Sequence, residues 1–243
     1  MKVSKYKKDS EFTYALGATV VMEFLNKKID VVLEVIMHPD FRSEDTINKI
    51  NAICKERRIP VTIAEKPFNI LSQKGNCYVI GVISKKKHQE MKLTEGNHVV
   101  LVNPSDAGNM GTIMRSALGF GISQIGIVTP AVDPFDPKTI RASMGAAASV
   151  SVELFDSFTE YQKRFPNNKM YPFMLDGSVR LQNTIIEKPC TLIFGNEATG
   201  LPADFIKIGQ PVRIEHGHEI DSLNLPIAAS IALYEATKDS FGK

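Results

Sequence analysis

Apolar residues set the rhythm of the chain. Tyr14, Ala15, Ala18, Val21, Met22 and Leu25 recur at the interval of a half-buried helix. V-V-L-E-V-I-M (31–37) is a short apolar run stopped by H-P-D, which predicts a strand. Behind Asp45, Ile47, Ile50 and Ile53 predict a second helix, and Arg58-Ile59-Pro60 turns the chain. V-T-I-A (61–64) and C-Y-V-I-G-V-I (77–83) predict two more strands. Residues 11–83 thus read as a small α/β unit. Residues 84–97 lose periodicity and gain charge, which predicts a linker.

From residue 98 the texture changes. H-V-V-L-V is a near-continuous apolar run, of the kind buried on both faces of a parallel sheet. I-G-I-V (125–128), Y-P-F-M-L around 170–175 and T-L-I-F (191–194) repeat it, and Val212–Ile214 predicts a short fifth strand. Helical segments fall between them, around 109–119, 137–148 and 157–165. A last helix over roughly 225–238 has Ile227, Ala228, Ile231, Ala232 and Tyr234 as its expected buried side. Alternating strands and helices predict a doubly wound α/β domain, whose ligands bind at the carboxyl ends of the strands.

The 243 residues accommodate one or two domains, and 43% apolar with 23% charged residues is an ordinary globular balance. Three separated cysteines, Cys54, Cys77 and Cys190, give neither a C-x-x-C pair nor an even disulfide set, so the reducing cytoplasm is the expected compartment. No apolar stretch approaches membrane-spanning length, and the basic N-terminus has no apolar segment behind it. Residues 1–97 carry 17 Lys+Arg against 12 Asp+Glu, whereas residues 98–243 carry 12 against 15. A basic first part suggests a polyanionic partner, although a lysine-rich solvated surface reads the same way.

Three polar clusters fall where apolar strands end. In N-P-S-D-A-G-N-M-G-T-I-M-R (103–115), Asp106, Gly108 and Asn109 open a helix. Arg115 follows Asn109 by six residues, about 240° around the axis, and a long side chain can still reach a ligand shared with Asn109. F-G-N-E-A-T-G-L-P (194–202) ends a strand at Gly195 and offers Glu197 to cap a helix, bond backbone amides or hold ligand hydroxyls. In the third cluster, from Ile214 through S-L-N, Ser222 and Asn224 precede the last helix. Each cluster alone also reads as a capped helix or a glycine turn. His216 and His218 lack the further ligands a metal needs, so no metal is expected. Walker, dinucleotide-binding and G-x-S-x-G signatures are absent.

Taken in order, the clusters resemble the signature motifs of the SpoU/TrmH family of RNA 2′-O-ribose methyltransferases, in the SPOUT superfamily. N-M-G-T-I-M-R, F-G-N-E-A-T-G-L and the stretch from Ile214 through S-L-N carry the likeness, with K-T-I-R-A-S-M-G-A (138–146) between them. The match covers roughly 98–243. Residues 1–90 resemble a small RNA-binding substrate domain related to kink-turn-binding ribosomal proteins.

The resemblance implies a deep trefoil knot in the C-terminal parallel-sheet domain (98–243), S-adenosyl-L-methionine as cofactor and a homodimer through that domain. By position, Gly195, Ile214, Leu223 and Leu175 match cofactor-binding residues. Asn109, Arg115, Glu197, Ser222 and Asn224 match the catalytic and structural polar set. The family commonly reads I-P-M where this chain has Ile214-Glu215-His216, which makes the expected pocket rim more polar. The implied activity is methyl transfer to a ribose 2′-hydroxyl of rRNA or tRNA, with Arg115 as base or phosphate anchor. A non-catalytic RNA-binding or ribosome-assembly protein on the same scaffold is the alternative. Lys5, Lys7, Lys8, Lys27, Lys28 and Lys85–Lys87 are candidate phosphate contacts.

Overall fold

The computed structural model describes residues 3–71, 76–86, 92–176 and 179–241. A four-stranded sheet is built from β1 (Phe12–Leu16), β2 (Val32–Met37), β3 (Val61–Ile63) and β4 (Val79–Ser84), in the order β1-β4-β2-β3. β4 runs antiparallel to both its neighbours, and β3 lies parallel to β2. Helices α1 (Ala18–Lys27), α2 (Glu44–Arg57) and α3 (Lys66–Leu71) complete this part.

Tyr14 and Ala15, whose spacing predicts helix, lie instead in β1 and pair with Val82 and Gly81. The helix begins only after Gly17, whose φ of 107° is open to glycine. Tertiary pairing overrides local periodicity here, because F-T-Y-A-L buries four of its five residues against the sheet.

The second sheet is five-stranded and wholly parallel. β5 (His98–Val102), β6 (Gln124–Val128), β7 (Ser151–Phe155), β8 (Lys169–Pro172) and β10 (Cys190–Phe194) are arranged β7-β6-β5-β10-β8. Every residue of β5 and β10 is buried. Each large aliphatic side chain so enclosed contributes about 1.5–3 kcal/mol. β7 breaks the apolar rule with Glu153, which is buried but held by Arg164, Lys92 and the Leu93 amide. The short β9 (Val179–Arg180) and β11 (Val212–Arg213) pair with each other, so 212–214 is no strand of the main sheet.

Helices α4 (Ala107–Gly119), α5 (Pro137–Ala142), α6 (Phe158–Arg164) and α7 (Leu225–Thr237) pack around this sheet. The helix expected over 137–148 stops at Ala142, because Gly145 takes φ 97° and a 3-10 turn follows. α7 is turned from its expected face. It buries Ala229, Ala232, Leu233 and Ala236 against the core, while Ile227, Ile231 and Tyr234 are exposed. Small side chains let α7 approach α4 closely, with the Ser230 hydroxyl donating to Ser116 at 2.8 Å.

In the stretch 84–97, predicted as a linker, Lys86, Lys92, Thr94 and Glu95 are exposed but other residues are tied to the domains on either side. Ser84 ends β4, Lys85 is buried, and Leu93 joins the core beside Phe158 and Phe165. Residues 87–91, including Lys87, lie outside the described residues. Among the described residues no helix is long and apolar enough to cross a membrane.

Candidate functional site

The parallel sheet changes direction between β5 and β10. From β5 the chain moves outward to β6 and β7, then returns on the other side through β8 and β10. Loops leaving the carboxyl ends of two such neighbours must face each other, the usual place for a ligand in this architecture. Here these are the loops 103–109 and 195–201.

Glu197 joins them. Its Oε2 accepts from the Ser105 amide at 2.9 Å and from the Ser105 hydroxyl at 2.6 Å. Its Oε1 accepts from the Asp106 amide at 3.2 Å and from Asn109 Nδ2 at 3.3 Å. Burial alone would raise the carboxyl's pKa, but the bonds from Ser105 and Asn109 outweigh it and hold it below the ordinary value. Glu197 therefore bonds backbone amides of the facing loop rather than capping a helix. Asp106 is the cap of α4, accepting from the Asn109 amide at 2.7 Å. Beside this, Asn196 Nδ2 donates to the Asn103 carbonyl at 2.8 Å.

The 195–201 loop closes on itself. Asn196 and Gly200 exchange backbone bonds of 3.1 and 2.9 Å, and Gly200 adopts φ 68°. A Cβ on Gly195 would fall 2.1 Å from the Gly200 carbonyl carbon and 2.3 Å from the Leu201 nitrogen. Glycine at 195 is therefore a requirement of loop closure as well as a way of baring main chain.

Strand ends converge on a cavity of about 300 Å³. Met174 N donates to Val212 O at 2.9 Å, tying the end of β8 to β11, and Phe173 stacks on Phe194 with centroids 4.8 Å apart. Leu175, Gly195, Glu197, Ile214, Ser222 and Leu223 all line this cavity, joined by Asp176 and His216. Asn109 is attached to its wall through Glu197. Arg115 and Asn224 are not among the lining residues. Arg115 is exposed on α4 without a polar partner among the described residues. Asn224 starts α7 through its carbonyl, which accepts from Ile227 and Ala228, and its side chain makes no cap bond.

Of the Glu215-His216 pair, only His216 is among the cavity's lining residues. Glu215 is drawn away by Arg213 at 2.6 Å and Arg180 at 3.2 Å, and Arg213 above all lowers its pKa. Ser105 and Phe173 were not distinguishable in the sequence: Ser105 sits inside the first cluster, but its partner lies 92 residues away.

Two candidate lysines are not surface groups. Lys85 is enclosed, and the Lys28 ammonium is buried with no bonding partner among the described residues, its pKa lowered by burial to about 8. Lys5, Lys7, Lys8 and Lys27 are exposed.

Comparison with known proteins identifies the family. The SpoU rRNA Methylase family model matches residues 96–234. An uncharacterized tRNA/rRNA methyltransferase of Synechocystis is 29% identical over 146 residues, covering 59% of this chain and 53% of that protein. The 23S rRNA (guanosine(2553)-2′-O)-methyltransferase of Bacillus subtilis is 28% identical over 149 residues, covering 60% of each. The chain thus spans about half the length of the first curated relatives it matches. The AdoMet-bound crystal structure of an rRNA methyltransferase from Sinorhizobium meliloti superposes with a TM-score of 0.77 at 27% identity, covering 96% of this chain and 89% of that one. With the family model matching more than half of its residues, the chain belongs to the SpoU rRNA methylase family.

Proposed function

We propose that the protein is an S-adenosyl-L-methionine-dependent methyltransferase acting on a ribose 2′-hydroxyl of structured RNA, rRNA or tRNA. The observation that carries this reading is the convergence of the second and third motif loops on one cavity, with Glu197 anchoring the first loop to its wall.

The cavity suits the cofactor. Gly195, Ile214 and Leu223 border it beside Leu201, Leu225 and Ala228, an apolar lining that suits a flat heterocycle. Carboxylates of Asp176 and Glu197 in the lining suit a cationic ligand. When bound, S-adenosyl-L-methionine supplies an already activated methyl group.

The work left to the protein is alignment, which can supply several kcal/mol in a two-substrate site. Glu197, Ser105 and Asn109 hold the 103–109 loop against the cavity wall. Arg115 reaches from α4 toward the RNA, gripping the neighbouring phosphate with its fork and stabilising negative charge on the 2′-oxygen. A neutral guanidinium would be costly at pKa values above about 12, so the proton released from the 2′-hydroxyl passes to solvent water and not to Arg115.

RNA capture falls to residues 1–90, whose exposed Lys5, Lys7, Lys8 and Lys27 offer phosphate contacts. The exposed Ile227, Ile231 and Tyr234, one stripe along α7, support a homodimer through residues 98–243. The trefoil knot and a cytoplasmic home belong to the same reading.

Calorimetry with S-adenosyl-L-methionine, followed by methyl transfer from labelled cofactor to total cellular RNA, tests the function. Binding and RNA labelling are expected. Binding without labelling would favour the non-catalytic RNA-binding alternative.

A further inference from the structure

A buried polar cluster lies away from the cavity and outside the family motifs. The Tyr6 phenol donates to Asp133 Oδ2. Lys85 Nζ donates to the Tyr6 oxygen at 2.9 Å and to the Lys8 carbonyl at 2.5 Å, and lies 3.6 Å from Asp133 Oδ2. It also sits 5.2 and 5.6 Å from the ring centroids of Tyr6 and Phe135. The Lys85 and Asp133 side chains are 5% and 10% exposed. Desolvating two charges costs several kcal/mol each, and apolar side chains of the same size would often be as stable. What an ion pair adds in such a place is a defined geometry.

The segment it fixes leads to the site. The Thr13 hydroxyl, on β1, donates to the Phe135 carbonyl at 2.5 Å. Three residues back, Val132 N donates to the Pro104 carbonyl at 2.8 Å, and Asn103 Nδ2 donates to the Pro130 carbonyl at 3.2 Å. Asn103 holds φ 52°, a left-handed conformation that Asn tolerates better than most residues. Pro104 directly precedes Ser105, whose amide and hydroxyl bind Glu197. One continuous hydrogen-bonded path therefore runs from Tyr6 and Lys85, through 130–135, to the loop that carries Asn109.

We propose that Tyr6, Lys85 and Asp133 are positioning residues for methyl transfer: they clamp segment 129–136 and through it hold the 103–109 loop in register with the N-terminal sheet. The clamp rests on the methyltransferase reading for its purpose, not for its existence. It lets RNA held by residues 1–90 meet a loop already set at the right place.

The test uses the full chain with Tyr6→Phe, which keeps the ring and both charges, and Asp133→Asn. Hydrogen–deuterium exchange reads the clamp without any substrate. In Tyr6→Phe, amides of 103–109 and 129–136 are expected to exchange about fivefold faster, with 79–84 and 190–194 unchanged. Single-turnover methylation should fall about tenfold while cofactor affinity stays within about twofold. The double variant should cost no more than the worse single variant, because both break one path. If Asp133→Asn does not fold, Tyr6→Phe alone decides. Unchanged exchange at 103–109 in Tyr6→Phe overturns the proposal, as does a rate loss explained wholly by weaker cofactor binding. If the wild type methylates no RNA, the functional reading fails, and the exchange data still decide whether the clamp sets the loop.

Discussion

Ser105 and Glu197 are 92 residues apart and share two hydrogen bonds, 2.9 Å from the amide and 2.6 Å from the hydroxyl. The pair closes the gap between the loops after β5 and β10 and ties the first motif to the cavity wall.

Replacing the carboxylate should break that tie. Hydrogen bonds to a charged group contribute about 1.5–3 kcal/mol, so Glu197→Gln should lower single-turnover methylation about 10- to 100-fold, and Ser105→Ala less. Because the folded-state pKa is depressed, the stabilisation is full above the ordinary carboxylate value of about 4.3 and is lost as pH falls through the lower folded value. Acid unfolding of wild type against Glu197→Gln measures it: the variant should lack that part of the decline.

How much of this was legible in the sequence depends on how local each determinant is. β5, β6 and β10 announce themselves as apolar runs because both faces are buried. β7 does not, since buried Glu153 interrupts it and its partners Lys92 and Arg164 lie elsewhere. β1 hides because its apolar spacing merges with that of α1. α7 is apolar nearly all round, so nothing in its own sequence says that the alanines, not Ile227, Ile231 and Tyr234, face the core. The cavity residues followed the motifs, whereas the partners of Glu197 depend on which loops the sheet order brings together.

Arg115 is exposed and unpaired among the described residues, so its loss should leave stability within about 0.5 kcal/mol. Activity should behave otherwise. Arg115→Ala should lose at least about 100-fold in the single-turnover rate and Arg115→Lys less, since charge survives but the bidentate fork does not. A pH–rate profile of both variants checks the assignment, and near-wild-type rates in both would remove Arg115 from the reaction.

The apolar stripe on α7 should be covered in solution. Sedimentation is expected to show a dimer for wild type and a monomer for Ile231→Glu, because a buried unpaired carboxylate at the interface is strongly disfavoured. Circular dichroism should show the fold retained, Ile231 being 39% exposed already.

Gly195 tolerates no side chain. Gly195→Ala places a Cβ 2.1 Å from the Gly200 carbonyl carbon, a clash with backbone that only a loop shift relieves. A loss of about 1–3 kcal/mol in chemical unfolding is expected, together with weakened cofactor binding.

His98 supplies a second pH signature. Burial, above all, depresses its pKa, while its ring nitrogens sit 2.7 Å from Tyr161 Oη and from the Thr94 carbonyl. The unfolded imidazole takes up a proton near pH 6.5 and the folded one resists, so stability should decline as pH drops through about 6.5. Melting temperatures at neutral and mildly acidic pH should differ more for wild type than for His98→Gln.

The most direct measurement is the position of the transferred methyl. Purified protein, S-adenosyl-L-methionine and RNA from cells lacking the gene are combined, and the RNA is digested and its nucleosides identified by mass spectrometry. A 2′-O-methylated nucleoside, formed at least about tenfold more slowly with Glu197→Gln, is the predicted result. A methyl on a base, or none on RNA despite bound cofactor, would contradict ribose methylation by this site.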